Sequence, residues 1–127
     1  MREPRPGIAW SRRRLVHRAT YAAWMASDAW LAHRREWLAT WVTVHGELPT
    51  CAICGERWML RHGDLHHRTY DRLGAEHVAD LVPLCRPCHT VLHRIIESSP
   101  AWRKLGRPRA TTAAIALLRR RIRGGEP

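Results

Sequence analysis

The chain has 127 residues, 45% of them hydrophobic, and its 22 Lys and Arg outnumber 11 Asp and Glu to give a formal net charge of +11. This length allows one small domain with flanking elements and excludes two independent cores, and the charge predicts a polyanionic partner, nucleic acid before an anionic membrane surface. The first residues lack the apolar run of a secretory signal, and no segment could span a membrane, so we expect a cytoplasmic protein.

Residues 10–44 have the apolar spacing of a helix. Tryptophan and leucine side chains recur at intervals of seven and four residues, at Trp24, Trp30, Leu31, Trp37, Leu38 and Trp41. This spacing predicts an apolar stripe that packs on the rest of the protein, with stacking on unpaired bases as the alternative. Ser27 and Asp28 are typical capping residues, so the segment is either one helix or two.

The polar side of this helical segment is basic. Six arginines lie there: Arg12, Arg13, Arg14, Arg18, Arg34 and Arg35. The sequence leaves open whether they contact phosphate groups or only solvent.

The four cysteines form two CxxC pairs, Cys51 with Cys54 and Cys85 with Cys88. In a reducing compartment this pattern predicts a tetrahedral four-cysteine zinc site that stabilises the fold, with redox cysteines or disulfides as the alternative. Between the two pairs lie 30 residues, more than the roughly 15 to 20 of ordinary paired-knuckle fingers. The additional residues carry a histidine pair.

Around the cysteines the pattern predicts short strands at 58–60, 65–70 and 81–84, then a helix that begins near Pro87 and runs to about Glu97. A basic linker, 103–109, and a helix, 111–122, complete the chain. Within the linker, Gly106-Arg107-Pro108 resembles the core of an AT-hook, an extended segment that enters the minor groove of A·T-rich DNA, although a plain basic linker is the default interpretation.

Helix geometry separates two sets of metal ligands. His89 and His93 are four residues apart and share one face of the predicted helix, whereas Cys88 is turned about 100° from His89. A single finger with two cysteine and two histidine ligands would leave the second cysteine pair without a role, so we expect two ions. The third ligand of the second ion is His66 or His67. Adjacent strand residues face opposite sides, which leaves one imidazole free to act as a base beside a metal.

These motifs resemble the zinc-knuckle branch of the HNH endonucleases over residues 47–97. The residues that carry the resemblance are the His66-His67 pair, Asp80-Leu81-Val82, His89 and His93, within the two cysteine pairs. The resemblance implies an α+β fold with a small, treble-clef-like ββα-metal core. An N-terminal helical segment, 1–46, would precede this core, and a basic linker with a C-terminal helix, 98–127, would follow it.

The resemblance also implies a role for each residue. His67 would be the general base, and His66, His89 and His93 would hold a catalytic Mg²⁺, Mn²⁺, Ni²⁺ or Zn²⁺. Asp80 occupies the central motif position, usually asparagine, and would orient His67 or assist at the metal. The four cysteines would hold structural Zn²⁺. The implied reaction is hydrolysis of phosphodiester bonds, with double-stranded DNA as substrate and no small-molecule cofactor.

Two residues near the histidine pair have two interpretations each. Asp64 could orient a metal-binding histidine and Arg68 could steer a phosphate, or both could be ordinary solvated strand residues. Glu76 and His77, in the predicted turn, are assigned no role. Two other functions stay open: a zinc-containing nucleic-acid-binding module that does not cut, and an accessory subunit of a phage packaging or restriction system.

Overall fold

The computed structural model describes residues 18–124, so Arg12, Arg13 and Arg14 of the predicted basic face lie outside the described residues. Residues 18–25 are helical and form the described part of α1. The remaining elements are α2 (Asp28–His45), β1 (Gly63–His67), a 3₁₀ turn (Val78–Asp80), β2 (Leu81–Cys85), α3 (Arg86–Ile96), α4 (Pro100–Lys104) and α5 (Arg107–Arg123). This is an α+β arrangement. No helix among residues 18–124 is long and apolar enough to cross a membrane.

The helical N-terminal segment is two helices. Ser27 has an extended backbone and its hydroxyl accepts a hydrogen bond from the N–H of Trp30 at 3.1 Å, so it caps α2. Trp30 and Trp37 are buried against Trp58, Leu65 and Leu81, which confirms the packing interpretation for those two tryptophans. At Leu31 the predicted stripe is wrong. That side chain is 52% exposed, because it is turned about 100° from Trp30 on the helix.

Strands β1 and β2 pair antiparallel, with His66 opposite Val82 and His67 opposite Leu81. The predicted strand at 58–60 is wrong, since the described residues near it form only an isolated bridge between Thr50 and Arg57. The apolar character of that stretch serves packing instead. The Trp58 indole lies directly against Gly63, where a Cβ atom would overlap the ring.

The C-terminal helix belongs to a second buried cluster. Ala114 and Leu118 of α5 pack with Leu92 of α3, with Leu84 of β2 and with Ile53. Replacing Leu92, which is fully buried, by alanine would cost about 2–5 kcal/mol of unfolding free energy. Helix α5 therefore packs directly on the elements that carry the cysteines and histidines.

The basic linker predicted at 103–109 is largely helical. Helix α4 ends at Lys104, Gly106 precedes α5 with a φ of 78°, and Arg107 and Pro108 form the first turn of α5. Proline is favourable in a first turn because its missing N–H has no helical partner there. The AT-hook interpretation is wrong, since it requires an extended backbone at these residues.

Candidate functional site

The four cysteines come together from three places. Cys51 and Cys54 lie in the loop after α2, Cys85 ends β2, and Cys88 is in the first turn of α3. Their sulfur atoms all lie within 4.8 Å of one another, and the Sγ atoms of Cys54 and Cys85 are 3.8 Å apart. Zinc–sulfur bonds of about 2.3 Å in a tetrahedron require sulfur separations of about 3.8 Å, whereas a disulfide requires about 2.05 Å. The cluster therefore fits a tetrahedral metal and not a disulfide.

The environment of Cys51 favours a thiolate. Burial raises the pKa of Cys54 and of Cys88. Burial acts in the same direction on Cys51, but the backbone N–H groups of Cys54, Cys85 and Ile53 outweigh it and lower the pKa of Cys51 to about 7. Because thiolate is the form that ligates metal, backbone donors at this loop prepare a structural metal site.

Three histidines form the second cluster. His66 comes from β1, and His89 and His93 lie one turn apart on α3. Nδ1 of His66 is 3.3 Å from Nε2 of His89, and Nε2 of His93 is 3.0 Å from the same atom. Metal–nitrogen bonds of about 2.0–2.1 Å in a tetrahedron predict separations of about 3.3 Å. These three nitrogens could therefore bind one ion.

The outer nitrogen of each of these rings faces a polar group. The pairs are His66 Nε2 with Thr111 Oγ1 at 2.9 Å, His89 Nδ1 with Asp64 Oδ2 at 3.0 Å, and His93 Nδ1 with Glu97 Oε1 at 3.6 Å. An ionised carboxylate only accepts, so Nδ1 of His89 carries a proton and Nε2 presents its lone pair to the cluster. Metal-binding histidines are typically oriented in this way, and Asp64 has the position expected for such a partner.

Two imidazoles of the cluster, those of His66 and His93, are in the neutral form that binds metal. His66 is fully buried, and this burial, together with the charge of Arg107, lowers the pKa of His66 to about 2. Burial likewise lowers the pKa of His93. Both rings are therefore neutral at pH 7.

His67 faces away from this cluster and pairs with Glu76. Its Nε2 is 2.8 Å from Oε2 of Glu76, which also accepts from the indole N–H of Trp24 at 2.9 Å. Burial raises the pKa of Glu76, but the hydrogen bonds from His67, from Trp24 and from backbone N–H groups, including that of Gly74, outweigh it and lower that pKa. The carboxylate is thus an acceptor, Nε2 of His67 is its donor, and Nδ1 of His67 holds the lone pair. Burial also lowers the pKa of His67, more than Glu76 raises it.

Asp80 does not make the contact expected of it. Its carboxylate accepts two hydrogen bonds from Arg72 and one from the backbone N–H of His77 at 2.9 Å. It lies in the 3₁₀ turn before β2, which directs it toward Arg72, while the preceding turn brings Glu76 to His67. The bond from Arg72 lowers the pKa of Asp80. Sequence reasoning missed Glu76 because a carboxylate in a turn has no periodic signal.

Aromatic rings cover His67. Trp30 stacks on it with ring centroids 5.5 Å apart, and the rings of Tyr21 and Tyr70 lie at 5.7 and 5.5 Å. The His67 residue is 1% exposed. Arg68, the next residue, is not covered by these rings and donates a hydrogen bond from Nη1 to Oγ1 of Thr112 at 2.9 Å.

Comparisons of the chain with protein-family models, with curated proteins and with solved structures found no match. The two clusters are consistent with a zinc-containing HNH module but do not identify one. We therefore infer function from the side chains themselves.

Proposed function

We propose that the protein is a metal-dependent endonuclease that hydrolyses phosphodiester bonds of double-stranded DNA. The observation that supports this proposal most is that two adjacent histidines at the end of β1 have different partners. His66 joins a three-nitrogen cluster, and its neighbour His67 forms a hydrogen-bonded pair with Glu76. Metal-dependent hydrolysis of a phosphodiester requires a set of metal ligands and, beside it, an imidazole that can accept a proton from water.

In this proposal His67 is the general base. Because Glu76 holds Nε2 as a donor, Nδ1 takes the proton from the attacking water. The water oxygen forms a bond to phosphorus and the P–O3′ bond breaks, which leaves 5′-phosphate and 3′-hydroxyl ends. A divalent cation held by His66, His89 and His93 would supply neutralisation of the negative charge that develops on the phosphate.

The rest of the protein is consistent with this role. The order β1, β2, α3, with one histidine ligand on the first strand and two on the helix, is the order of a ββα-metal core. Four thiolates suit structural Zn²⁺. Of the four candidate catalytic cations, Ni²⁺ and Zn²⁺ suit three imidazoles better than Mg²⁺ and Mn²⁺ do, because Mg²⁺ and Mn²⁺ prefer oxygen ligands and would take more of them from water and phosphate. The net charge of +11 favours a DNA partner. Four exposed arginines lie on the last turns of α5: Arg119, Arg120, Arg121 and Arg123.

One observation favours a second candidate, a zinc-containing module that binds nucleic acid without cutting it. His67 is 1% exposed and its ring is covered by Trp30 and Tyr21. Hydrolysis requires one of these rings to move so that water reaches Nδ1. If they do not move, the His67–Glu76 pair is part of the core and has no catalytic role.

Plasmid nicking distinguishes the two candidates. We expect the wild type to nick supercoiled DNA with at least one cation from a panel of Mg²⁺, Mn²⁺, Ni²⁺ and Zn²⁺. For His67→Ala we expect a rate about 10²–10⁴-fold lower, with unchanged zinc content. His62→Ala, which removes an exposed histidine from the turn before β1, serves as the control and should nick normally. DNA binding without nicking in every metal would support the non-catalytic module, and equal nicking by His67→Ala would contradict the assignment of the base.

A further inference from the structure

Arg107 is a half-buried cation without a counter-ion among the described residues. Its Nε donates to the backbone carbonyl of His67 at 2.6 Å, and its guanidinium lies 4.3 Å from the centre of the Tyr70 ring. None of the ion pairs in residues 18–124 includes Arg107, and within that range its Nη atoms form no hydrogen bond. Two guanidinium donor groups are therefore available at the end of β1.

The position of this charge is unfavourable without an anion. Arg107 contacts the carbonyl of His67, the residue after His66, and lies one helical turn before Thr111, whose hydroxyl meets Nε2 of His66. The negative charge of Glu97 reaches Arg107 only at a distance, because the Glu97 carboxylate pairs with His93. A cation in the histidine cluster would add further positive charge beside a partly desolvated guanidinium, and such groupings are stable only when paired with negative charge.

We propose that Arg107 and the three-histidine cluster together form a phosphate-binding site, in which the Nη groups of Arg107 hold non-bridging oxygens of a DNA phosphodiester. The identification of the anion as a phosphodiester rests on the proposed function. A guanidinium can donate two parallel hydrogen bonds to a phosphate, and such charge-assisted bonds are the strongest that a side chain offers.

Helix α5 then contributes to the site from two successive turns. Arg107 and Thr111 are four residues apart and share a face of the helix. Thr111 holds the outer nitrogen of His66, while Arg107 holds the carbonyl of His67. The packing of α5 on α3 thus completes a site whose other residues all precede residue 98.

Inorganic phosphate is the probe for the first experiment. It is titrated by calorimetry into zinc-loaded protein with a catalytic divalent cation present, using wild type, Arg107→Gln, Arg107→Lys and the control Arg109→Gln. Arg109 is exposed on the same helix, so its substitution removes the same charge. We expect about a tenfold or larger loss of phosphate affinity for Arg107→Gln, a smaller loss for Arg107→Lys, and a change within about twofold for Arg109→Gln. Thermal unfolding and zinc content establish that each variant is folded.

Equal phosphate affinity in wild type and folded Arg107→Gln overturns the proposal, as does the absence of phosphate binding in the wild type. Should Arg107→Gln fail to fold, Arg107→Lys decides. Its ammonium retains the charge but loses the two parallel donors, so unchanged affinity would show that Arg107 only joins α5 to β1.

The second experiment separates this proposal from the proposed function. In a protein that nicks DNA, Arg107→Gln should lower kcat by about 100-fold with a smaller change in KM, because a phosphate gains negative charge in the transition state. If Arg107→Gln nicks DNA with an unchanged kcat, the proposed endonuclease activity is retained and the proposed role of Arg107 is overturned. Phosphate binding that depends on Arg107 in a protein that does not nick would support the anion site and count against the endonuclease.

Discussion

The two candidate metal-binding clusters differ in how the chain builds them. The cysteines come from two short CxxC segments, so each half of that cluster is determined by local backbone. The histidine cluster joins a strand to a helix, and its outer partners come from β1, from the residue that caps the end of α3 and from α5. Four thiolates complete a tetrahedron by themselves, whereas three imidazoles leave further coordination positions of a divalent cation to substrate. The cysteine cluster is therefore suited to stabilising the fold and the histidine cluster to chemistry.

Loss of the cysteine cluster should have the most severe consequence. Cys51→Ser or Cys88→Ser should abolish folding, because in so small a core the structural metal supplies much of the folding free energy. Circular dichroism and zinc analysis measure this. A folded, cooperative Cys88→Ser protein without metal would contradict the structural role of the cluster.

Breaking the histidine cluster should leave the fold intact. We expect His89→Ala to retain one zinc and cooperative unfolding, and to lose binding of a second cation by about 100-fold or more, measured by calorimetry with Mn²⁺ or Ni²⁺. Nicking should be lost with it. If His89→Ala instead unfolds like the cysteine variants, the two clusters do not have different roles.

The next effect concerns the carboxylates near His67. Glu76→Gln keeps the shape of the side chain but removes the charge that fixes the ring, so we expect kcat to fall by about 10- to 100-fold. Asp80→Asn should lower kcat by less, since Asp80 contacts Arg72. Nicking rates of the two variants, compared at equal zinc content, measure this, and a larger loss for Asp80→Asn would restore the role that the resemblance implies.

The smallest effect is expected at Thr111. Thr111→Val removes the hydroxyl that meets Nε2 of His66 and preserves the volume, so we expect about a tenfold loss of affinity for the second cation. Calorimetry with Mn²⁺ measures it, and Thr112→Val, on the exposed side of α5, is the control. Equal cation affinity in both variants would show that the bond to Thr111 does not tune the cluster.

Much of the ligand arrangement was predictable from residue spacing. The CxxC pairs and the four-residue interval between His89 and His93 report local backbone geometry, so their grouping into separate clusters follows from helical rotation alone. The two-residue alternation of a strand likewise predicts that His66 and His67 face opposite sides, and the structure places His66 with α3 and His67 against Glu76.

Residue spacing alone therefore establishes which side chains can ligate metal and which of them share a face, because those properties depend on neighbours a few residues apart. The partners that surround these side chains follow instead from how distant segments pack. Glu76 reaches His67 through the path of a turn, and Thr111 and Arg107 reach β1 because the apolar face of α5 packs on α3. Such contacts join residues up to 45 positions apart and depend on how a whole helix is buried, which no local pattern records.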